Sequence, residues 1–173
     1  MATLQSTSLP KRGSSLLILI VAVGTIIADQ ISKQLILNAF QPGETLTVIP
    51  GFFNLTLTFN FGAAFGLWSS LPPGWREVAL GISITLALSV LFFFLRHPTQ
   101  QSALSQASLA AVLGGALGNV IDRMRHGYVV DFLDAFWGAH HWPAFNIADS
   151  AIVIGVAIVV LGPQRPHVQK SEA

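Results

Sequence analysis

The 173-residue sequence contains no cysteine. That absence excludes disulfides, thiolate catalysis and cysteine-ligated metal sites, and it leaves the redox compartment open. Charge is scarce as well: Asp, Glu, Lys and Arg make up 10% of the residues, against about 25% in soluble domains. Nine basic and eight acidic residues leave a net charge of +1, so there is no broad electrostatic footprint for nucleic acid. What fills the chain instead is apolar: 52% of residues are hydrophobic and the mean hydropathy is +0.62. This is the composition of a membrane protein.

Four apolar runs carry that composition: Ser14 to Ala28 with a continuation towards Leu37, Val78 to Leu95, Ala103 to Ile121, and Ile147 to Leu161. Each approaches the ~20 residues a helix needs to cross the hydrocarbon. The expected fold is an all-α membrane protein of four transmembrane helices, forming one domain over residues 1–173, with flexible tails at 1–13 and 163–173. Lys11 and Arg12 ahead of the first run imitate a secretory signal, but the run continues past Ala22-Val23-Gly24, which predicts a retained signal-anchor. Lys11, Arg12, Arg96, Arg165 and Lys170 fall on one side of the spans, and Arg76, Arg123 and Arg125 on the other. The bias predicts cytoplasmic termini, with loops 38–76 and 122–146 outside.

Between the first two spans, ETLTVIPGFFNLTLTFN (Glu44 to Asn60) alternates apolar and polar residues around a Pro50-Gly51 turn. It predicts a small two-stranded extracytoplasmic element. Trp68, Trp75, Trp137 and Trp142 lie in or beside the outer loops, as interfacial aromatics do. Gly114, Gly115 and Gly118 in the third span, with a G-x-x-x-G, predict close helix packing and no chemistry.

The rise of a helix converts position into depth. Counted from Ser15, Asp29 lies ~21 Å up and Lys33 ~27 Å; counted from Leu104, Asn119 lies ~22 Å up and Asp122 ~27 Å. Counted back from Leu161, Asp149 lies ~18 Å up and Asn146 ~22 Å. Three helices thus bring their strongly polar side chains into one layer in the outer part of the membrane. Ionisable groups there are expensive and mark function by default. Each also has a structural reading: Asp29 and Lys33 as a helix-surface ion pair at i,i+4, Asp122-Arg123 as interfacial anchors, Asp149 as a helix cap, and Asp134 as a solvated residue.

Four of the eight acidic residues, Asp122, Asp131, Asp134 and Asp149, fall within 28 positions of one another. With no cysteine, with His140-His141 lacking the i,i+4 spacing of H-E-x-x-H, and with Ser32 unable to face its neighbour Lys33, carboxylates remain as the reactive groups. Two held close cannot both ionise: one takes a proton from water while the other donates one, as in an aspartic protease. Depth selects Asp149 and leaves Asp122, Asp131 and Asp134 open as its partner. An ion path is the rival reading, but a relay would thread titratable groups from face to face, and the inner halves of spans two to four are empty of them. A structural subunit leaves the polar layer without a purpose.

Four blocks now carry a resemblance: DQISK (Asp29–Lys33), NFGAAFG (Asn60–Gly66), GNVIDRMRHGYVVDF (Gly118–Phe132) and FNIADS (Phe145–Ser150). In order and spacing they resemble the prolipoprotein signal peptidases, signal peptidase II, of bacteria. The resemblance implies that Asp131 and Asp149 are the catalytic pair. It implies site-ordering or substrate-binding roles for Asn60, Gly62, Asn119, Asp122, Arg123, Asn146 and Ala148, and supporting roles for Asp29 and Lys33. It also implies an intramembrane aspartic endopeptidase, with no metal or cofactor, that works as a monomer in the bacterial inner membrane. Its substrates would be prolipoproteins with a diacylglyceryl-modified cysteine, cut just before that cysteine. The alternating strands of 44–60 and the outer segment 132–144, with Phe132, Phe136, Trp137 and Trp142, would clamp or cover such a substrate.

Overall fold

The computed structural model describes residues 12–62, 71, 72, 74, 75, 78–82, 84, 85, 89 and 102–162, with side chains in the first helix from Ser15 onward. Most of the expected span 78–95, block residues 63–66, Trp68, residues 1–11 and residues 163–173 lie outside the described set. Helix α1 runs Arg12–Ala39, so it already includes two residues expected in the tail. Helix α2 runs Ala103–His126 and α3 runs Ile147–Leu161. Between α1 and α2, residues 75, 78–82, 84, 85 and 89 are helical. Within α1 the stretch Ser15–Ala39 has mean hydropathy 2.0, and α2 has 1.4, so both are long and apolar enough to cross a membrane. At 15 residues, α3 is shorter.

Helix ends follow from local chemistry. Ser102 caps α2 by accepting from the Ser105 N–H at 3.1 Å. Gly127 closes it in the left-handed region at φ 79°, where its N–H reaches Arg123 O at 3.0 Å. Asn146 and Asp149 form a capping box at the start of α3.

The packing is inverted relative to a soluble bundle. On α1 the exposed face is Leu16, Ile20, Val23, Ile27, Ile31 and Leu35 at near-helical spacing, while Ala22, Asp29, Lys33 and Ile36 are buried. Charges inside and aliphatics outside is stable only where the surroundings are apolar. The glycines of α2 draw the helices together. A Cβ at Gly114 would stand 2.5 Å from Ala22 O of α1, and one at Gly115 would stand 2.5 Å from Ala148 O of α3. Backbones this close explain why the bundle holds without bulky side chains at the seam.

The β element is larger than the sequence suggests, and the all-α expectation is corrected. Strands β1 (Thr45–Ile49), β2 (Phe53–Asn60), β3 (Val129–Trp137) and β4 (His140–His141) form an antiparallel sheet in the order β1-β2-β3-β4. The first two are the expected hairpin, turning through Gly51 at φ 78°. The other two come from the segment between α2 and α3. Their sequence, VVDFLDAFW, lacks alternation because β3 is buried on both faces over most of its length. Ile36, Leu57, Val130 and Phe132 form the core that seats this sheet on the end of α1, with Leu37 and Phe40 packed against it.

Candidate active site

The site assembles where the sheet meets three helix ends. Asp29 and Lys33, one turn apart on α1, pair at 2.8 Å, and Lys33 Nζ also reaches Asp122 Oδ2 of α2 at 2.9 Å. All three are buried, so this is an interior ion cluster and not the helix-surface pair expected. Burial of charge is tolerable only with every polar atom engaged, and here they are. Asp29 Oδ1 accepts the Ala148 N–H at the start of α3, at 3.0 Å. Asp122 Oδ2 accepts the Val130 N–H of β3, at 3.1 Å. Gln30 Nε2 donates to Asp122 Oδ1 at 2.8 Å, with Asp29 Oδ2 and Gly118 O at 3.2 and 3.3 Å. Gly118 is required there, because a Cβ would lie 2.6 Å from Asp29 Oδ2.

Two further acids, Asp149 and Asp131, are linked to this cluster by hydrogen bonds through Asn119 and Asn146. Asp149 stands in the first turn of α3, where Oδ1 accepts Asn119 Nδ2 at 2.8 Å and Oδ2 accepts the Asn146 N–H at 3.3 Å. Asp131 stands on β3, where Oδ2 accepts Asn60 Nδ2 of β2 at 3.0 Å and Oδ1 accepts Asn146 Nδ2 at 2.7 Å. Asn146 therefore touches both acids. Its Nδ2 also lies 3.2 Å from Asn119 Oδ1, which in turn accepts from Lys33 Nζ at 2.9 Å. One hydrogen-bonded chain thus runs from the ion cluster to the acids. Burial pushes the Asp131 carboxyl up to about 7, with the Asp149 charge acting in the same direction, while bonds from Asn60 and Asn146 and the Lys33 charge oppose the shift.

Arg123 completes the site. Its NH2 donates to Gly62 O at 2.7 Å and its NH1 to Asn119 O at 3.2 Å, and it lies within electrostatic reach of Asp149, Asp131 and Asp122. Among the described residues its buried Nε has no partner. Gly62 is itself held by its N–H on Asn60 Oδ1 at 2.9 Å. Among the described residues, no three His, Asp or Glu side chains group as metal ligands.

The three candidate partners left open for Asp149 separate cleanly. Asp122 belongs to Lys33, and Asp131 meets Asp149 through Asn146. Asp134 is corrected: it is buried, with Oδ2 accepting Asn54 Nδ2 at 2.9 Å and Oδ1 facing His141 Nδ1 at 2.8 Å. Trp75, Trp137 and Trp142 are exposed, as expected of interfacial aromatics. Two side chains knitted into the region carry no site role in the sequence reading, Gln30 and His141. Gln30 had a usable signal, lying one helical turn before Lys33 on the same helix.

Buried ions ringed by exposed aliphatic surface, with one acid on a small sheet and another at a helix start bonded to the same asparagine, are the features of a membrane enzyme. Two solved structures described as bacterial membrane enzymes, obtained by the in meso method, share the fold at a TM-score of 0.72 and 36% identity. The match covers 87% of this chain and 87% and 92% of theirs. Residues 21–163 match the family model described as Signal peptidase (SPase) II, and the chain belongs to that family of peptidases. A lipoprotein signal peptidase of Paraburkholderia phymatum is 42% identical over 93% of this chain and 95% of its own length. One from Syntrophotalea carbinolica is 40% identical over 88% and 94%.

Proposed function

We propose that this chain removes signal peptides from bacterial prolipoproteins as an aspartic endopeptidase, with Asp131 and Asp149 activating one water. The similar proteins are lipoprotein signal peptidases, which supports the substrate class. The observation that carries the chemistry is Asn146, whose side-chain and backbone N–H groups engage one acid each.

Burial and the Asp149 charge raise the Asp131 carboxyl to about 7, which favours Asp131 as the acid and leaves Asp149 as the base. Asp149 takes a proton from water as the water oxygen attacks the scissile carbonyl, and Asp131 donates its proton to the carbonyl oxygen. Collapse of the tetrahedral species returns that proton to Asp131, and the proton on Asp149 passes to the departing amide nitrogen. The buried Nε–H of Arg123, without a partner among the described residues, supplies a fixed donor for the developing oxyanion. Asn60 and Asn119 hold the acids, Gly62 holds Arg123, and Ala148 ties α3 to Asp29. Asp29, Lys33 and Asp122 fix α1 against α2 beneath them.

The cut falls just before a diacylglyceryl-modified cysteine. The protein acts as a single domain and a monomer in the inner membrane, with both termini cytoplasmic and the site near the outer face. A lipid-anchored substrate then enters sideways from the bilayer to the depth of the acids. The experiment is cleavage of a prolipoprotein, with and without its lipid, by the protein in detergent, followed by mass measurement of the released peptide. A single cut before the cysteine, confined to the lipidated form, is expected. A cut elsewhere, or equal turnover of the unlipidated form, overturns the reading.

A further inference from the structure

We infer that Asp134 and His141 are positioning residues that fix the register of the return from β3, and through it the placement of Asn146 between the two acids. The inference rests on the catalytic reading above.

The chain leaves Asp131 along β3, turns at Gly138 (φ 60°) and comes back to Asn146, which must arrive within hydrogen-bonding distance of its starting point. The return does not keep one register. Phe136 pairs His141 and Trp137 pairs His140, yet Leu133 pairs Phe145. Two residues of β3, Asp134 and Ala135, therefore oppose three of the return, Trp142, Pro143 and Ala144. That is a bulge, and Pro143 without an N–H suits it. A slip of one residue turns every side chain to the opposite face, which would carry the Asn146 side chain away from Asp131.

Backbone bonds flank the bulge, Trp142 N–H to Ala135 O at 2.8 Å on one side and Phe145 N–H to Leu133 O at 3.0 Å on the other. Side chains add a tie across the strands. Asp134 lies diagonal to His141 across β3 and β4, a pairing within reach on one sheet face. His141 Nδ1 meets Asp134 Oδ1 at 2.8 Å while the ring stacks on Phe136, with centroids 4.7 Å apart and planes at 11°. Asn54 on β2 holds the other oxygen of Asp134 at 2.9 Å. One carboxylate thus ties three consecutive strands on the β4 side of the bulge, and neither Asp134 nor His141 enters the proposed chemistry.

His141→Phe keeps the stacked ring and removes the donor; His141→Asn keeps an N–H at the Nδ1 position and removes the ring. With lipidated prolipoprotein as substrate, His141→Phe should lose kcat by roughly 10- to 100-fold, the scale of a misplacement near 1 Å. Its KM should stay within about twofold, and His141→Asn should recover most of the kcat. Combining His141→Phe with Asp134→Asn should add no further loss, since both act on one tie. If His141→Phe fails to fold, His141→Asn against His141→Ser carries the test, because both lack the ring and only Asn reaches Asp134. Equal kcat in Phe and Asn variants, or in Asn and Ser variants, overturns the inference, as does a loss that appears in KM alone. An active wild type that Asp131→Asn silences shows that such a failure belongs to the latch and not to the two-acid chemistry.

Discussion

Asn146 Nδ2 lies 2.7 Å from Asp131 Oδ1, although fifteen residues and a strand hairpin separate the two in the chain. The same Asn146 caps α3 by accepting the Asp149 N–H at 2.9 Å. Capping α3 and holding Asp131 are thus two jobs of one side chain, and they separate by substitution. Serine retains a cap acceptor but has no amide to offer Asp131. Asn146→Ser should keep the cap but leave buried acceptors of Nδ2 unpaired, costing about 1–3 kcal/mol of stability, while losing about 100-fold in kcat. Thermal denaturation in detergent beside a cleavage assay checks both halves.

Lys33 is the sole cation bonded to Asp29 and Asp122 among the described residues. Lys33→Met should destabilise by about 3–5 kcal/mol, because it strands two buried carboxylates. Adding Asp29→Asn should recover part of the loss, since it removes one of the stranded charges while leaving an oxygen for the Ala148 N–H. Denaturation midpoints of the single and double variants read this out.

Gly118 and Gly24 offer a matched pair of helix glycines. Around Gly24 nothing lies within 4 Å of an added Cβ, whereas at Gly118 the Cβ would collide with Asp29. Gly24→Ala should be neutral or up to about 1 kcal/mol stabilising. Gly118→Ala should displace Asp29 and lower both stability and turnover. Side-by-side melting curves and rates separate the two.

The pH dependence has a definite sign. The Asp131 carboxyl rises from an ordinary 3.8 to about 7 on folding, so the folded state holds this proton more tightly than the unfolded chain. Its stabilising contribution is complete below about pH 3.8 and is lost as pH rises through 7. Relative to Asp131→Asn, the wild type should therefore lose stability between pH 4 and pH 7. Turnover should be bell-shaped: it falls above about pH 7 as Asp131 gives up its proton, and at low pH as the general base becomes protonated. Melting and rate profiles on one set of buffers check the sign.

The polar layer was legible in the sequence because charge is so rare in these helices that each ion stands out, and helical rise converts position to depth. Asp29, Lys33, Asn119, Asp122, Asn146 and Asp149 meet as that arithmetic implies. The sheet was half legible. The LTLTF stretch of β2 alternates, but β3 is sandwiched and reads as an unpatterned apolar run. Asp134 was misread as solvated because its partners, Asn54 and His141, are brought to it by strand pairing, which composition and depth do not encode. The choice of Asp131 among three acids had the same origin: strands carry no depth scale, so motif resemblance supplied what arithmetic could not.

The most direct measurement is turnover of a lipidated prolipoprotein by Asp131→Asn and Asp149→Asn, each purified and shown to melt as a folded protein. The account predicts that each substitution alone lowers kcat by about 1,000-fold or more, because neither acid can do the other's proton transfer. Near-normal turnover by either variant contradicts it.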